Sequence, residues 1–132
     1  MGRSDPGRAP RLRQVRGAQA RRSGARAEAW AAVWLMLKGY RILGFRLRTR
    51  QGEIDLLAQK GGVLAVVEVK SRLALDDALE AVAPEQRARL RRAGAAVAAS
   101  QPRLKDLPVR LDLIALAPGR LPQHQADAWN GA

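Results

Sequence analysis

The chain contains no cysteine, so neither a disulfide framework nor a thiolate metal site can form. It has a single histidine, His124, set in a polar tail, which disfavours a zinc site and a serine–histidine triad. No apolar run approaches the length of a membrane span, and the N-terminus lacks the apolar segment of a signal peptide. The expectation is therefore a soluble cytoplasmic protein that does not enter a membrane. Acidic residues are scarce, 12 against 24 lysines and arginines, for a net charge of +12. Any metal would have to be held by carboxylates and main-chain oxygens, which suits Mg²⁺ or Mn²⁺. The basic excess predicts attraction to a polyanion, nucleic acid first, although arginine-rich composition also arises without a specific partner.

What is present fits one domain: 132 residues, 47% of them hydrophobic, enough for a modest core. Residues 1–20 mix Gly, Pro, Ser and Arg with almost no bulky apolar side chains and read as a disordered basic tail. A helix is expected from about Arg21 to Lys38, stopped by Gly39. Its Trp30, Val33, Trp34 and Leu37 form one apolar face, with Ala32, Leu35 and Met36 largely opposite, so it should be well buried. Glu28 interrupts that helix. Either it sits in the solvated first turn, where the helix dipole favours it, or it is aimed at a cation.

Tyr40 to Thr49 alternates Phe45, Leu47 and Thr49 against Arg46, Arg48 and Arg50, which predicts a strand with a basic outer face. Such a face is a phosphate track or, more commonly, simply solvated. Residues 73–82 read as a loop or short helix. Pro84 then opens a second helix, running to about Ala99 and carrying Gln86, Arg87, Arg89, Arg91 and Arg92. Val109 to Ala117 is a final strand with Leu111, Leu113 and Ala115 on one side and Arg110, Asp112 and Ile114 on the other. Residues 118–132 read as an unstructured end.

The stretch from Gly52 to Arg72 carries the most information. Two β-branched-rich runs, Glu53–Ala58 and Val63–Lys70, flank Gln59-Lys60-Gly61-Gly62, a hairpin signature because paired glycines permit the positive φ of a tight turn. Strand alternation puts Val63, Ala65, Val67 and Val69 on one wholly apolar face, expected against a helix. The other face runs Leu64, Val66, Glu68, Lys70, and Asp55 interrupts the apolar run of the preceding strand. Charges on strands apolar enough to be buried call for a partner or a task. Two carboxylates desolvated together raise each other's pKa, and a divalent cation or the Lys70 amine relieves that. Acid, acid and amine suit phosphodiester hydrolysis: carboxylates hold a hard cation, Val69 can add its main-chain oxygen, and the ammonium meets developing negative charge. The competing reading is a plain ion pair of Lys70 with Glu68 or Asp55 at the end of a sheet.

Asp55 followed across a short hairpin by Glu68-Val69-Lys70 resembles the PD-(D/E)xK motif of the restriction-endonuclease-like superfamily. Together, Glu28, Gly39-Tyr40, Gly52-Glu53-Ile54-Asp55-Leu56, Glu68-Val69-Lys70-Ser71-Arg72 and Arg110-Leu111-Asp112-Leu113-Ile114-Ala115 resemble the YraN-like family of small bacterial proteins, which is similar to Holliday-junction resolvases. The resemblance spans about Gly24 to Ala117. It implies an α/β fold with an α-β-β-β-α-β nuclease core over residues 21–117 and a mixed sheet flanked by helices. Asp55 and Glu68 would be metal ligands, Lys70 the catalytic amine, and Glu28 a helix-borne acid completing the site. Glu53 would be a further ligand or an edge acid. Ile54 stands where the superfamily label has proline, and Gln86 where relatives often have lysine. Arg46, Arg48, Arg50, Arg72, Gln86 and Arg87 are the candidates for nucleic-acid contact.

The readings that follow are a Mg²⁺- or Mn²⁺-dependent endonuclease, on DNA rather than RNA and on branched or structured substrates, or a non-catalytic nucleic-acid-binding module that keeps the fold. A weaker third is an interaction protein whose basic tail meets an acidic partner. A homodimer suits the first, since resolving a junction takes two active sites.

Overall fold

The computed structural model describes residues 24–131. The basic tail expected over residues 1–20 lies outside them. Residues 24–37 are helical (α1), followed by strands β1 (Arg41–Thr49), β2 (Gly52–Lys60) and β3 (Val63–Ser71). Helices α2 (Leu75–Glu80) and α3 (Pro84–Ala99) and strands β4 (Val109–Leu116) and β5 (Gln123–Gln125) complete the chain. The five strands form one mixed sheet in the order β1-β2-β3-β4-β5, antiparallel except for β3 and β4. A parallel pair needs a crossover, and the segment carrying α2 and α3 supplies it. No helix among the described residues is long and apolar enough to cross a membrane.

Strand alternation divides the core in two. Leu64, Val66, Leu111, Leu113 and Ala115 meet Leu90, Ala93 and Ala98 of α3 on one face. Ala65, Val67, Leu56, Ala58 and Ile114 meet Ala31, Ala32 and Leu35 of α1 on the other. The apolar odd-numbered face of β3 is thus covered by a helix, as its pattern requires. α3 lies very close to the sheet because position 94 is glycine. A Cβ there would stand 2.6 Å from Val66 Cγ2 and 2.9 Å from Val109 Cγ1.

α1 ends where the sequence indicates. Gly39 adopts φ +93°, and the Tyr40 amide reaches back to the Leu35 carbonyl at 2.9 Å, closing the last turn. Its burial differs from the expectation of a helix buried all round. Ala31, Ala32 and Leu35 face the sheet, while Trp30 (42% exposed), Val33, Met36 and Leu37 (74%) remain in solvent. The two apolar faces compete for one sheet, and the face with the smaller side chains permits the closer approach.

The C-terminal segment is a second departure. Expected to be unstructured, it pairs β5 with β4 at Leu113↔Gln125, Ile114↔His124 and Ala115↔Gln123. Further along, the Ala128 amide donates to the Leu111 carbonyl at 3.0 Å, and Trp129 Nε1 donates to the Leu79 carbonyl at 3.2 Å. Few bulky residues mark this segment. It is held through backbone bonds, a buried carboxylate on β4 and the packing of Ala128 and Trp129 against the core.

Candidate active site

The functional interest lies where β2 and β3 part company. Their ladder runs from Lys60↔Val63 to Leu56↔Val67 and is not continued to Asp55 and Glu68. Alternation also slips there, since Ile54 and Leu57, three residues apart, pack in the same cluster. Opposite the slip on β1, Arg46 has φ +48°, a conformation rare for a residue with a side chain. The strand ends splay, and the acids occupy the opening. The Val69 amide donates to Asp55 Oδ2 at 3.0 Å, so a side chain takes the place of a ladder bond and brings the Val69 peptide to the site.

Glu68 is 5% exposed, and its carboxyl shares a hydrogen bond with Asp55. Burial first, then the Asp55 charge and that bond, raise its pKa from 4.5 to about 8, with Lys70 offsetting part of the rise. Lys70 Nζ lies 3.6 Å from Glu68 Oε2, and Gln86 Nε2 donates to the same oxygen at 2.9 Å. Asp55 and Glu68 open onto a cavity of about 490 Å³. Glu53, Arg50, Gln86 and Arg89 also line it.

Glu28 approaches from α1 on the other side of the sheet. It is buried and accepts a 2.6 Å bond from Arg46 Nε. Burial raises its pKa, although the Arg46 hydrogen bond and charge oppose the rise. It lies within electrostatic reach of Asp55 and Glu53. The alternative of an acid aimed at a cation is therefore the one realised, and the cation is an arginine.

The basic candidates scatter. Arg46 turns to Glu28 instead of sharing an outer face with Arg48 and Arg50, because its backbone breaks the alternation. Arg48, with its side chain 90% exposed, pairs with Glu53 at 3.6 Å. Arg50 lines the acid cavity, and Arg72 is exposed, with Nη1 on the Ser71 carbonyl. Arg87 points elsewhere, its guanidinium 5.5 Å from the Trp129 ring centre. Arg89 takes the place on the cavity wall, and helical spacing could have found it: Gln86, Arg89 and Leu90 are one, three and four apart along one face, and all line the cavity.

The residues fit a hard cation in one specific way. A buried carboxyl whose charged form is disfavoured by burial and by the neighbouring Asp55, in an open cavity and with oxygen donors only, is what a divalent ion would relieve. Among the described residues no group of three or more His, Cys, Asp or Glu is arranged to hold a metal. An ion at Asp55 and Glu68 would take its remaining ligands from water, substrate oxygens and the Val69 carbonyl, as Mg²⁺ commonly does.

A second buried acid stands apart. Asp112 on β4, fully inaccessible, accepts from Arg110 Nε at 2.7 Å, Arg110 Nη2 at 2.8 Å and the Asp127 amide at 3.1 Å, and contacts His124 Nε2 at 2.9 Å. Burial opposes its ionisation. The bonds from His124, Arg110 and the Asp127 amide outweigh that and hold the carboxyl below its ordinary range. Arg110 also donates to the Tyr40 hydroxyl at 2.7 Å, so the network ties β4 and β5 to the end of α1.

A family model described as "Uncharacterised protein family UPF0102" matches residues 27–116, a span that includes Glu28, Asp55, Glu68 and Lys70 and ends before β5. A UPF0102 protein of Caulobacter sp. (strain K31) is 70% identical over 117 residues, covering 89% of this chain and 84% of that protein. A UPF0102 protein of Caulobacter vibrioides (strain NA1000 / CB15N) is 66% identical over 121 residues, 92% of this chain and 97% of its own length. One from Parvibaculum lavamentivorans (strain DS-1 / DSM 13023 / NCIMB 13966) is 49% identical over 113 residues, covering 86% and 85% respectively.

Proposed function

The chain belongs to the UPF0102 family, the YraN-like group its motifs resemble, and from that premise we propose a metal-dependent nuclease. It hydrolyses phosphodiester bonds, in DNA rather than RNA, at branched or structured sites. The observation that carries this reading is the convergence of Asp55 and Glu68 at the splayed end of β2 and β3, on the wall of an open cavity with Arg50 and Arg89, and with Lys70 Nζ 3.6 Å from Glu68.

Asp55 and Glu68 are the residues to hold Mg²⁺ or Mn²⁺, which when bound supplies polarisation of a phosphoryl oxygen and a more acidic water. The chain's own groups do the rest. The Val69 amide fixes Asp55, and the Gln86 amide fixes Glu68, so neither carboxyl must reorganise as substrate arrives. Lys70 stands beside Glu68 with its ammonium available to orient the attacking water or to meet the charge that gathers on the phosphorane. Arg50 and Arg89 provide cationic seats for phosphates flanking the one attacked.

The test is cleavage of end-labelled four-way junctions, flaps and single strands with Mg²⁺, Mn²⁺ or EDTA. Asp55→Asn and Lys70→Ala should each reduce cleavage by roughly 100-fold or more. Metal-dependent cleavage that survives both substitutions, or no cleavage of any substrate, refutes the proposal.

One observation favours a second reading, a binding module without catalysis: the described residues offer no three-ligand acid cluster, while the chain carries +12. It predicts salt-sensitive DNA binding that neither EDTA nor Asp55→Asn alters.

A further inference from the structure

Glu28 is an acid of the site that already has a cation in contact, and the contact is built from several directions. The αL backbone of Arg46 turns its side chain out of strand alternation toward α1. Gly24 lies against it, since a Cβ there would stand 2.8 Å from Arg46 Nη2, the far end of that side chain. The guanidinium then bonds Glu28 at 2.6 Å while feeling the charges of Glu53 and Asp55 as well. It occupies the place where the fields of these acids overlap, which is where a second metal ion would be drawn.

Charge pairing points the same way. Among the described residues Glu28 pairs with Arg46, Glu53 with Arg48 and Glu68 with Lys70, and no cation is paired with Asp55. The residual negative charge suits one divalent ion and not two. To recruit Glu28, an ion would have to displace a charge-assisted bond that the fold has prepared, and a guanidinium cannot leave by losing its proton.

Resting on the phosphodiesterase reading of Asp55 and Glu68, we infer that Arg46 is a resident counter-ion for Glu28: the site takes a single divalent cation, and the guanidinium stands in for a second. Glu28 is then a positioning residue that anchors this fixed charge within electrostatic reach of Asp55 and Glu53, not a metal ligand.

The experiment counts Mn²⁺ bound per chain, by the electron paramagnetic resonance of free Mn²⁺ and by calorimetry, with folding checked by circular dichroism. Wild type should bind one ion, lost in Glu68→Gln. Glu28→Gln keeps the hydrogen bond to Arg46 and should retain that ion within about threefold in Kd, where loss of a ligand would cost roughly tenfold or more. Arg46→Ala should admit a second ion, abolished by adding Glu28→Gln, and Arg46→Lys should return the count to one. A wild type that binds two ions, a tenfold weakening in Glu28→Gln, or a folded Arg46→Ala that still binds one overturns the inference. Should wild type bind no ion dependent on Glu68, the nuclease reading fails; a Glu28-dependent ion in Arg46→Ala would still uphold the counter-ion, and its absence would remove both.

Discussion

Replacing Glu68 by glutamine should make the protein more stable in alkali. The folded carboxyl has its pKa raised from 4.5 to about 8, chiefly by burial and then by Asp55. Between those values the native state keeps a proton that the unfolded chain has released. Native therefore binds more protons than unfolded, and stability falls as pH rises across this window. The interval corresponds to at most roughly 5 kcal/mol at about 1.4 kcal/mol per pH unit. Side-chain relaxation and entry of water from the cavity reduce the expected loss to about 2–3 kcal/mol. A glutamine has no proton to lose, can accept from Gln86 as Glu68 does, and can donate to Asp55 as the protonated acid does. Urea denaturation in EDTA at pH 5, 7 and 8.5, followed by far-ultraviolet circular dichroism, measures the difference between wild type and variant. The two should agree within about 1 kcal/mol at pH 5 and separate by about 2–3 kcal/mol in favour of the variant at pH 8.5. Adding Mg²⁺ at pH 8.5 should restore stability to wild type and not to the variant. A variant with the wild-type slope, or one less stable at pH 8.5, would refute the electrostatic account of the site.

Asp112→Asn should destabilise the fold by about 3 kcal/mol, read from the urea midpoint at pH 7, because it leaves the Arg110 charge without its buried partner. Since bonding holds the Asp112 pKa below its ordinary 3.8, its contribution is present above that value and is lost as pH falls through the folded one. Wild type should therefore show a steeper acid transition than Asp112→Asn, and equal acid transitions would exclude this carboxyl as their source. Gly94→Ala gains helix propensity of up to about 1 kcal/mol but inserts a methyl 2.6 Å from Val66, so a net loss of about 1–2 kcal/mol is expected from thermal melts. A melting temperature at or above that of wild type would show that α3 can move off the sheet.

The central hairpin and its flanking elements are legible in the sequence because each carries its own period. β3 alternates between two apolar sets, the paired glycines mark the turn, and Pro84 marks the start of α3. The buried face of α1 is not legible. Its helical wheel offers two apolar faces, and only the approach distance to the sheet selects Ala31 and Ala32 over Trp30 and Val33. The turn of Arg46 toward α1 is hidden for a different reason. A positive φ at an arginine leaves no mark in composition, and the regular spacing of Phe45, Leu47 and Thr49 suggests an unbroken strand. β5 is missed because its hold on the fold is long-range: His124 reads as a tail residue until Asp112 is seen across the sheet.

Asp112 also shows what a sequence signal of this kind can and cannot decide. An acid within an apolar strand marks Asp55, Glu68 and Asp112 alike, and the structure gives the latter two opposite environments. Asp112 is surrounded by donors, an arginine, a histidine and a main-chain amide, and ionises more easily than in water. Glu68 has another acid beside it, an amide and an amine at 3.6 Å, and ionises less easily. The first acid has all its partners within the chain and holds the fold together. The second has one amine to share with a neighbouring acid, Asp55, that no cation of the described residues pairs, and both face an open cavity. The positive charge the pair lacks must therefore come from outside, and that deficit is what separates a chemical acid from a structural one.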